Sequence, residues 1–116
     1  MGEGGCIFCK IAKKEIPSRI VFEDSRILAF EDLRPQAPVH ILIIPKHHIE
    51  KIADIEEDDL GLIGDLVLAA RNIAKEKGVD RSGYRIVINC NKDAGQEVLH
   101  LHLHLLGGRK FTWPPG

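Results

Sequence analysis

Histidine occupies every second position from His100 to His104, interleaved with Leu101, Leu103 and Leu105, so half of the chain's six histidines fall within five consecutive residues. Successive side chains on a β-strand point to opposite faces, which predicts three imidazoles on one surface and three leucines in the core. Neighbouring rings on such a strand stand about 6.5–7 Å apart at Cα, a spacing that suits successive contacts along a phosphate chain better than a single metal ion. A neutral imidazole can attack phosphorus without the negative charge that sets a carboxylate against phosphate oxygens. A second, protonated ring can donate to the leaving group, so one strand can supply both nucleophile and acid. A lone strand histidine is ordinarily a surface or hydrogen-bonded residue. Three alternating ones give up apolar burial and repel one another when protonated, which favours chemistry over packing.

The flanking residues point to an anion and then to a nucleotide. Asp93, Ala94, Gly95 and Gln96 form a loop before the histidine strand, and its glycine lets backbone amides approach a phosphate closely. Gly107 and Gly108 let the chain turn after the strand, and Asn89 ends the preceding strand, where its amide can reach the histidines. Asp32, shortly after Phe30, can accept a pair of hydrogen bonds from ribose hydroxyls, and Ile7, Phe8, Ile11, Phe30 and Leu33 could enclose a base. Taken singly, these residues read as turns or core.

Cys6-Ile7-Phe8-Cys9 is the second chemical signal, because a two-residue spacing lets both thiolates reach one tetrahedral ion from a single turn. The same spacing serves redox pairs beside a βαβ unit, but no strand precedes the motif here. Three cysteines, an odd number, argue against a disulfide framework.

The elements that must position these residues read as α+β. Ile7 to Glu15 has helix-forming composition and stops before Pro17. Ile20 to Glu23 and Ile27 to Glu31 read as a hairpin, and His40 to Ile44 as a largely apolar, central strand ended by Pro45. A long helix is expected from an Asp54 cap with Glu57 in a capping box, its apolar face carrying Leu60, Ile63, Val67, Ala70 and Ala74, widened by Leu66 and Ile73, and stopped at Gly78. Tyr84 to Asn89 and Leu99 to Leu106 supply the last two strands. With 116 residues the chain is the size of one domain, 1–116. Sixteen basic and seventeen acidic residues leave a net charge of −1, which provides no footprint for extended nucleic acid or an anionic membrane. Without a basic, apolar leader or an apolar run of about 20 residues, a cytoplasmic location is expected.

The HLHLHLL run, together with IFCKIAKKEIPSRIVFED, LAFEDLRPQAPVHILIIPKHHI, GYRIVINCN, AGQEVLHLHLHLLGGR and the terminal WPPG, resembles the histidine triad (HIT) superfamily over nearly the whole chain. The WPPG ending and the context of the triad resemble its nucleotide-binding (Hint) branch more than the branch that cleaves dinucleoside polyphosphates. The resemblance implies a five-stranded antiparallel sheet with two helices per subunit and a homodimer with a ten-stranded sheet, the Trp113 segment reaching toward the partner's site. It also implies hydrolysis or transfer at the α-phosphorus of a purine nucleoside phosphoramidate or related conjugate. His102 would be the nucleophile, His104 would contact phosphate and protonate the departing group, and His40 would orient the cluster. Asn89 and the amides around Glu97 and Val98 would hold phosphate, and Asp32 the ribose. Relatives complete a structural zinc site with residues matching His48 and His100, beside Cys6 and Cys9. That assignment turns His47 elsewhere and leaves Cys90 as a small buried residue. Glu97 stands where many relatives have serine, which could favour a cationic leaving group through charge pairing. Leu99 stands where tyrosine is common. A dinucleoside polyphosphate hydrolase and a non-catalytic nucleotide-binding regulatory module are the alternative functions.

Overall fold

The computed structural model describes residues 3–116. Five antiparallel strands form one sheet in the order β1-β2-β3-β5-β4, with β1 Ile20–Glu23, β2 Ile27–Glu31, β3 Val39–Pro45, β4 Tyr84–Val87 and β5 Leu103–Gly107. The β1–β2 turn is set by Asp24, whose Oδ1 accepts the amides of Arg26 and Ile27 at 2.8 Å each. β3 is central, as its apolar run predicts, and pairs on one side with β2 and on the other with β5.

Strand parity divides the core into two layers. Ile27, Ala29, Ile41, Ile43, Leu103 and Leu105 face α2, Leu60–Glu76, through its buried Leu62, Leu66, Ala70 and Ile73. Leu28, Phe30, Leu42 and Ile44 face the opposite way, onto α1, Ile7–Ala12, through Phe8, Cys9 and Ile11. β2 and β3 are therefore apolar on both faces, covered by one helix each. His40 and His104 share parity with Leu42 and so lie on the α1 side.

Several boundaries depart from the sequence reading. α1 stops at Ala12 because Lys14 takes a left-handed φ of 65° and the amides of Lys14 and Glu15 turn back to the carbonyls of Ile11 and Lys10. α2 starts at Leu60, after two short 3-10 turns, and the acid that closes its entry is Asp59, which accepts the Glu56 amide at 2.9 Å, not the Asp54/Glu57 pair. The run from Glu56 to Asp59 is entirely acidic, so capping competence does not single out one frame. Leu60 and Val67 of the expected apolar stripe are exposed, while Leu62 and Ala69 are buried. Gly78 ends the helix as expected, at φ 74°. β4 ends at Val87, leaving Asn89 beyond it.

The histidine strand itself begins late. The β3–β5 ladder runs only to Ile43↔Leu103; two residues further on, the same register would set Leu101 opposite Pro45, which has no amide to donate. His100 and His102 therefore precede the ladder, held by the Leu101 amide donating to the Ile49 carbonyl at 2.6 Å. The alternation survives this: Leu101, Leu103 and Leu105 are buried in the α2 layer, and the three histidines face α1.

Candidate active site and metal centre

The imidazoles form a row across the α1 side of the sheet, His48–His100 on one side and His102–His104–His40 on the other, with ring centroids 4.9, 5.0 and 5.2 Å apart for the successive neighbours within each group. Phe8 on α1 stands between the groups, its ring edge-on to both His100 and His102 at 6.0 and 5.1 Å. The short helix thus separates two kinds of chemistry.

On one side, Cys6 and Cys9 at the start of α1, His48 after β3 and His100 before β5 direct four ligand atoms to one point, all within 4.8 Å of one another. The Sγ of Cys6 and the Nδ1 of His100 are 3.3 Å apart, Cys9 Sγ and His48 Nδ1 3.2 Å, and the two Nδ1 atoms 3.1 Å. A tetrahedron with metal–nitrogen bonds near 2.0–2.1 Å and metal–sulfur bonds near 2.3 Å has N···N and S···N edges of about 3.4 and 3.6 Å. The His100 tautomer agrees. His100 donates its Nε2–H to the Pro45 carbonyl at 2.8 Å, which leaves Nδ1 a lone pair. Burial pushes the His100 ring down to about 4, so it is neutral near pH 7. Cys6 Sγ accepts the Cys9 amide at 3.4 Å, which fixes the sulfur at the start of α1. Four ligands leave no position for water, so the ion is structural, joining α1, the loop after β3 and the approach to β5. His47 is exposed and outside the group, as expected, whereas Cys90 is only half-buried.

On the other side lies a cavity of about 410 Å³ lined by Asp32, Arg34, His40, Asn89, Gly95, Glu97, Val98, His102 and His104, among others. Hydrogen bonds settle which nitrogens are free. His102 Nδ1 lies 2.6 Å from the His100 carbonyl, so it carries the proton and Nε2 keeps the lone pair. The Gln36 amide donates to His40 Nδ1 at 3.0 Å, which puts the His40 proton on Nε2; that atom faces His104 Nδ1 at 3.0 Å, and His104 in turn carries its proton on Nε2. Burial lowers all three rings. His104 is held at about 4, with His102 and His40 adding to the effect, so the resting cluster is neutral.

Asp32, His40 and His104 also bring their polar atoms within 4.8 Å of one another, but a neutral His40 cannot accept the Gln36 amide on Nδ1 and offer a metal ion a lone pair on Nε2 as well. The group is a hydrogen-bonded relay.

Ile7, Phe8, Ile11, Phe30, Asp32, Leu33, Glu97 and Val98 line a second, mostly apolar cavity of about 400 Å³ that shares Phe8, Asp32, Arg34, Leu42, Glu97 and Val98 with the first. Leu33 forms an exposed rim, and Ile7 is half-exposed. The expected nucleotide-site, catalytic and metal residues thus lie in one of the two cavities or the metal group, whereas Asp93 and Ala94 of the loop before the histidine strand line neither cavity. Arg34 and Gln36 escaped the sequence reading, and Gln96 was read only as part of the loop before the histidine strand. Arg34 lines both cavities, the Gln36 amide sets the His40 tautomer, and Gln96 fastens the loop by donating to the carbonyls of Glu50 and Val98 at 2.8 and 3.1 Å. Gln36 acts through its backbone amide, which every residue except proline carries, so nothing in its side chain marked it.

A family model described as "Scavenger mRNA decapping enzyme C-term binding" matches residues 5–111. The chain is 51% identical over 112 residues to a 14 kDa zinc-binding protein of Zea mays, covering 95% of this chain and 87% of that one. Among solved structures, a HIT family hydrolase from Legionella pneumophila superposes with a TM-score of 0.95 at 56% identity, covering 97% of this chain and all of that one. A zinc-bound histidine triad family protein from Mycobacterium smegmatis superposes with a TM-score of 0.79 at 32% identity, covering 93% and 78%. The Cys6–Cys9–His48–His100 group fits a structural zinc ion, in keeping with a zinc-binding relative and a zinc-bound neighbour. The chain belongs to the HIT-like family and is related to its hydrolases.

Proposed function

We propose that the chain hydrolyses purine nucleoside 5′-phosphoramidates, or closely related nucleoside monophosphate conjugates, through a covalent nucleotidyl-His102 intermediate. The observation that carries this reading is the 2.6 Å bond from His102 Nδ1–H to the His100 carbonyl, which leaves Nε2 with the lone pair on a ring that lines the cavity with His104 and Asn89. His102 Nε2 attacks the α-phosphorus and the bond to the leaving nitrogen breaks; that nitrogen takes a proton from His104 and departs as the amine. Water then attacks phosphorus, gives its proton back to His104, and the P–N bond to His102 breaks to release the nucleotide.

The phosphate anion supplies what the resting cluster lacks. A negative charge beside His104 raises its proton affinity, so the acid is loaded as substrate binds. Asn89, Gly95 and the Glu97–Val98 segment border the phosphate space, and the apolar cavity takes the base between Phe8, Ile11 and Phe30. Asp32, at the junction of the two cavities, takes the ribose hydroxyls. Bound zinc supplies a fixed cross-link and no Lewis acid, since its ligands are complete. The outer edge of β4 is without a partner among the described strands, and a second copy pairing there would give a homodimer with a ten-stranded sheet.

A fluorogenic adenosine phosphoramidate tests the activity: the protein should turn it over, and His102→Asn should abolish turnover. Faster cleavage of a dinucleoside polyphosphate than of the phosphoramidate would replace this reading with the sister activity, and nucleotide binding without turnover would replace it with a regulatory role.

A further inference from the structure

We propose that Asp32 is a positioning residue for the acid, the acceptor that takes the His40 Nε2–H when the His40–His104 pair loads its extra proton. This deepens the proposed function and rests on it. The neutral pair is satisfied without Asp32: Gln36 N–H donates to His40 Nδ1, and His40 Nε2–H donates to His104 Nδ1, both at 3.0 Å. A third proton on the pair creates a conflict. Protonated His104 bears hydrogens on both nitrogens, and the Gln36 amide keeps the His40 hydrogen on Nε2, so two N–H groups face each other across 3.0 Å. One must find another acceptor.

The acceptor within reach is Asp32 Oδ2, 3.5 Å from His40 Nε2, too long for a strong bond in the neutral pair but close enough to receive the hydrogen after a small ring rotation. Its carboxylate is held in place for this. Oδ1 accepts the Arg34 amide at 2.7 Å, which fixes the group and leaves Oδ2 turned to His40. His40 is almost fully buried, so water does not substitute readily as acceptor. The charged and titratable groups around the pair are Asp32 and Arg34 from the β2–β3 loop, His102 from the approach to β5 and Glu97 from the loop before it; α1 contributes only Phe8 here. Of these, Asp32 favours the protonated form of both His40 and His104, while His102 opposes it at His104.

Asp32→Asn separates this role from sugar binding, with zinc content and circular dichroism confirming the fold. Two adenosine 5′-phosphate derivatives are compared, an alkylamine phosphoramidate, whose leaving group needs a proton, and a p-nitrophenyl ester, whose leaving group does not. The variant should lose about 10- to 100-fold in kcat on the phosphoramidate and little in kcat on the ester, and the alkaline limb of the phosphoramidate kcat profile should move down by about one pH unit or more. Equal losses on both substrates, confined to KM and without a shifted limb, would leave Asp32 a ribose ligand only and overturn the proposal. Imidazole ¹⁵N resonances with bound AMP give a readout independent of turnover: His104 should protonate at lower pH in the variant, and an unchanged midpoint would refute the role. If the wild type turned over neither substrate, the proposed function would fall, while this titration would still decide the part played by Asp32.

Discussion

Removing one zinc ligand, Cys9→Ala, should weaken the fold by an amount that depends on zinc itself. The ion joins residues as distant as Cys6 and His100, and Cys9 is buried beside both histidine ligands, 3.2 Å from His48 Nδ1 and 3.5 Å from His100 Nδ1. Loss of an outer partner of a metal ligand already weakens binding by about 10- to 100-fold, so loss of a ligand should reach at least the upper figure. In excess zinc a 100-fold weaker site costs about 2.7 kcal/mol of stability by mass action. For a chain of this size that lowers Tm by roughly 10 °C. Melting both proteins with zinc and with chelator separates metal from packing: the gap should be large with zinc and shrink to the small cost of the lost sulfur when both are metal-free. Equal melting of wild type with zinc and with chelator, its metal verified as removed, would refute the assignment. Because the His100 carbonyl holds the His102 proton at 2.6 Å, the metal-free wild type should also lose activity.

Three further outcomes follow from the site. Binding of AMP should take up protons near pH 6, because free His104 is held at about 4 by burial, His102 and His40, and the bound phosphate raises it toward the working pH; calorimetry in buffers of different ionisation enthalpy measures this, and His104→Asn should abolish most of it. Phe8→Ala removes a buried ring that touches Phe30 at 5.5 Å and His102 at 5.1 Å between centroids, so it should cost about 3–5 kcal/mol in urea unfolding and weaken AMP binding in the same preparation. Glu97, shared by both cavities, should favour cationic leaving groups; Glu97→Gln should lower kcat/KM for a lysine-like amine relative to a neutral amine by about 5-fold, the scale of an exposed charge pair.

What could be read before the structure is what local pattern controls. The period-two alternation of His100–Leu105 specifies which side chains are apolar and which are not, and burying the three leucines orients the histidines even where the ladder is interrupted. The interruption has a cause outside the strand, in Pro45 on its neighbour, so no pattern within residues 99–106 could announce it. The start of α2 was misplaced because Asp54, Glu56, Glu57, Asp58 and Asp59 all offer carboxylates, and the choice among them depends on how the two preceding turns pack. The Cys-x-x-Cys spacing proclaimed a metal or redox pair on its own, but its partners lie 39 and more residues away and entered through family resemblance. Tautomers were invisible altogether: His40 depends on a backbone amide, His102 on a backbone carbonyl, and neither leaves a mark on residue identity.

The most direct test of nucleophilic attack by His102 is mass spectrometry of the protein after millisecond mixing with an adenosine phosphoramidate and an alkaline quench, which spares the acid-labile phosphorus–nitrogen bond. An adenylyl mass on the peptide containing His102, absent in His102→Asn, is the expected result. Turnover at full rate with no adduct on that peptide would mean that water attacks phosphorus directly, and would contradict the account.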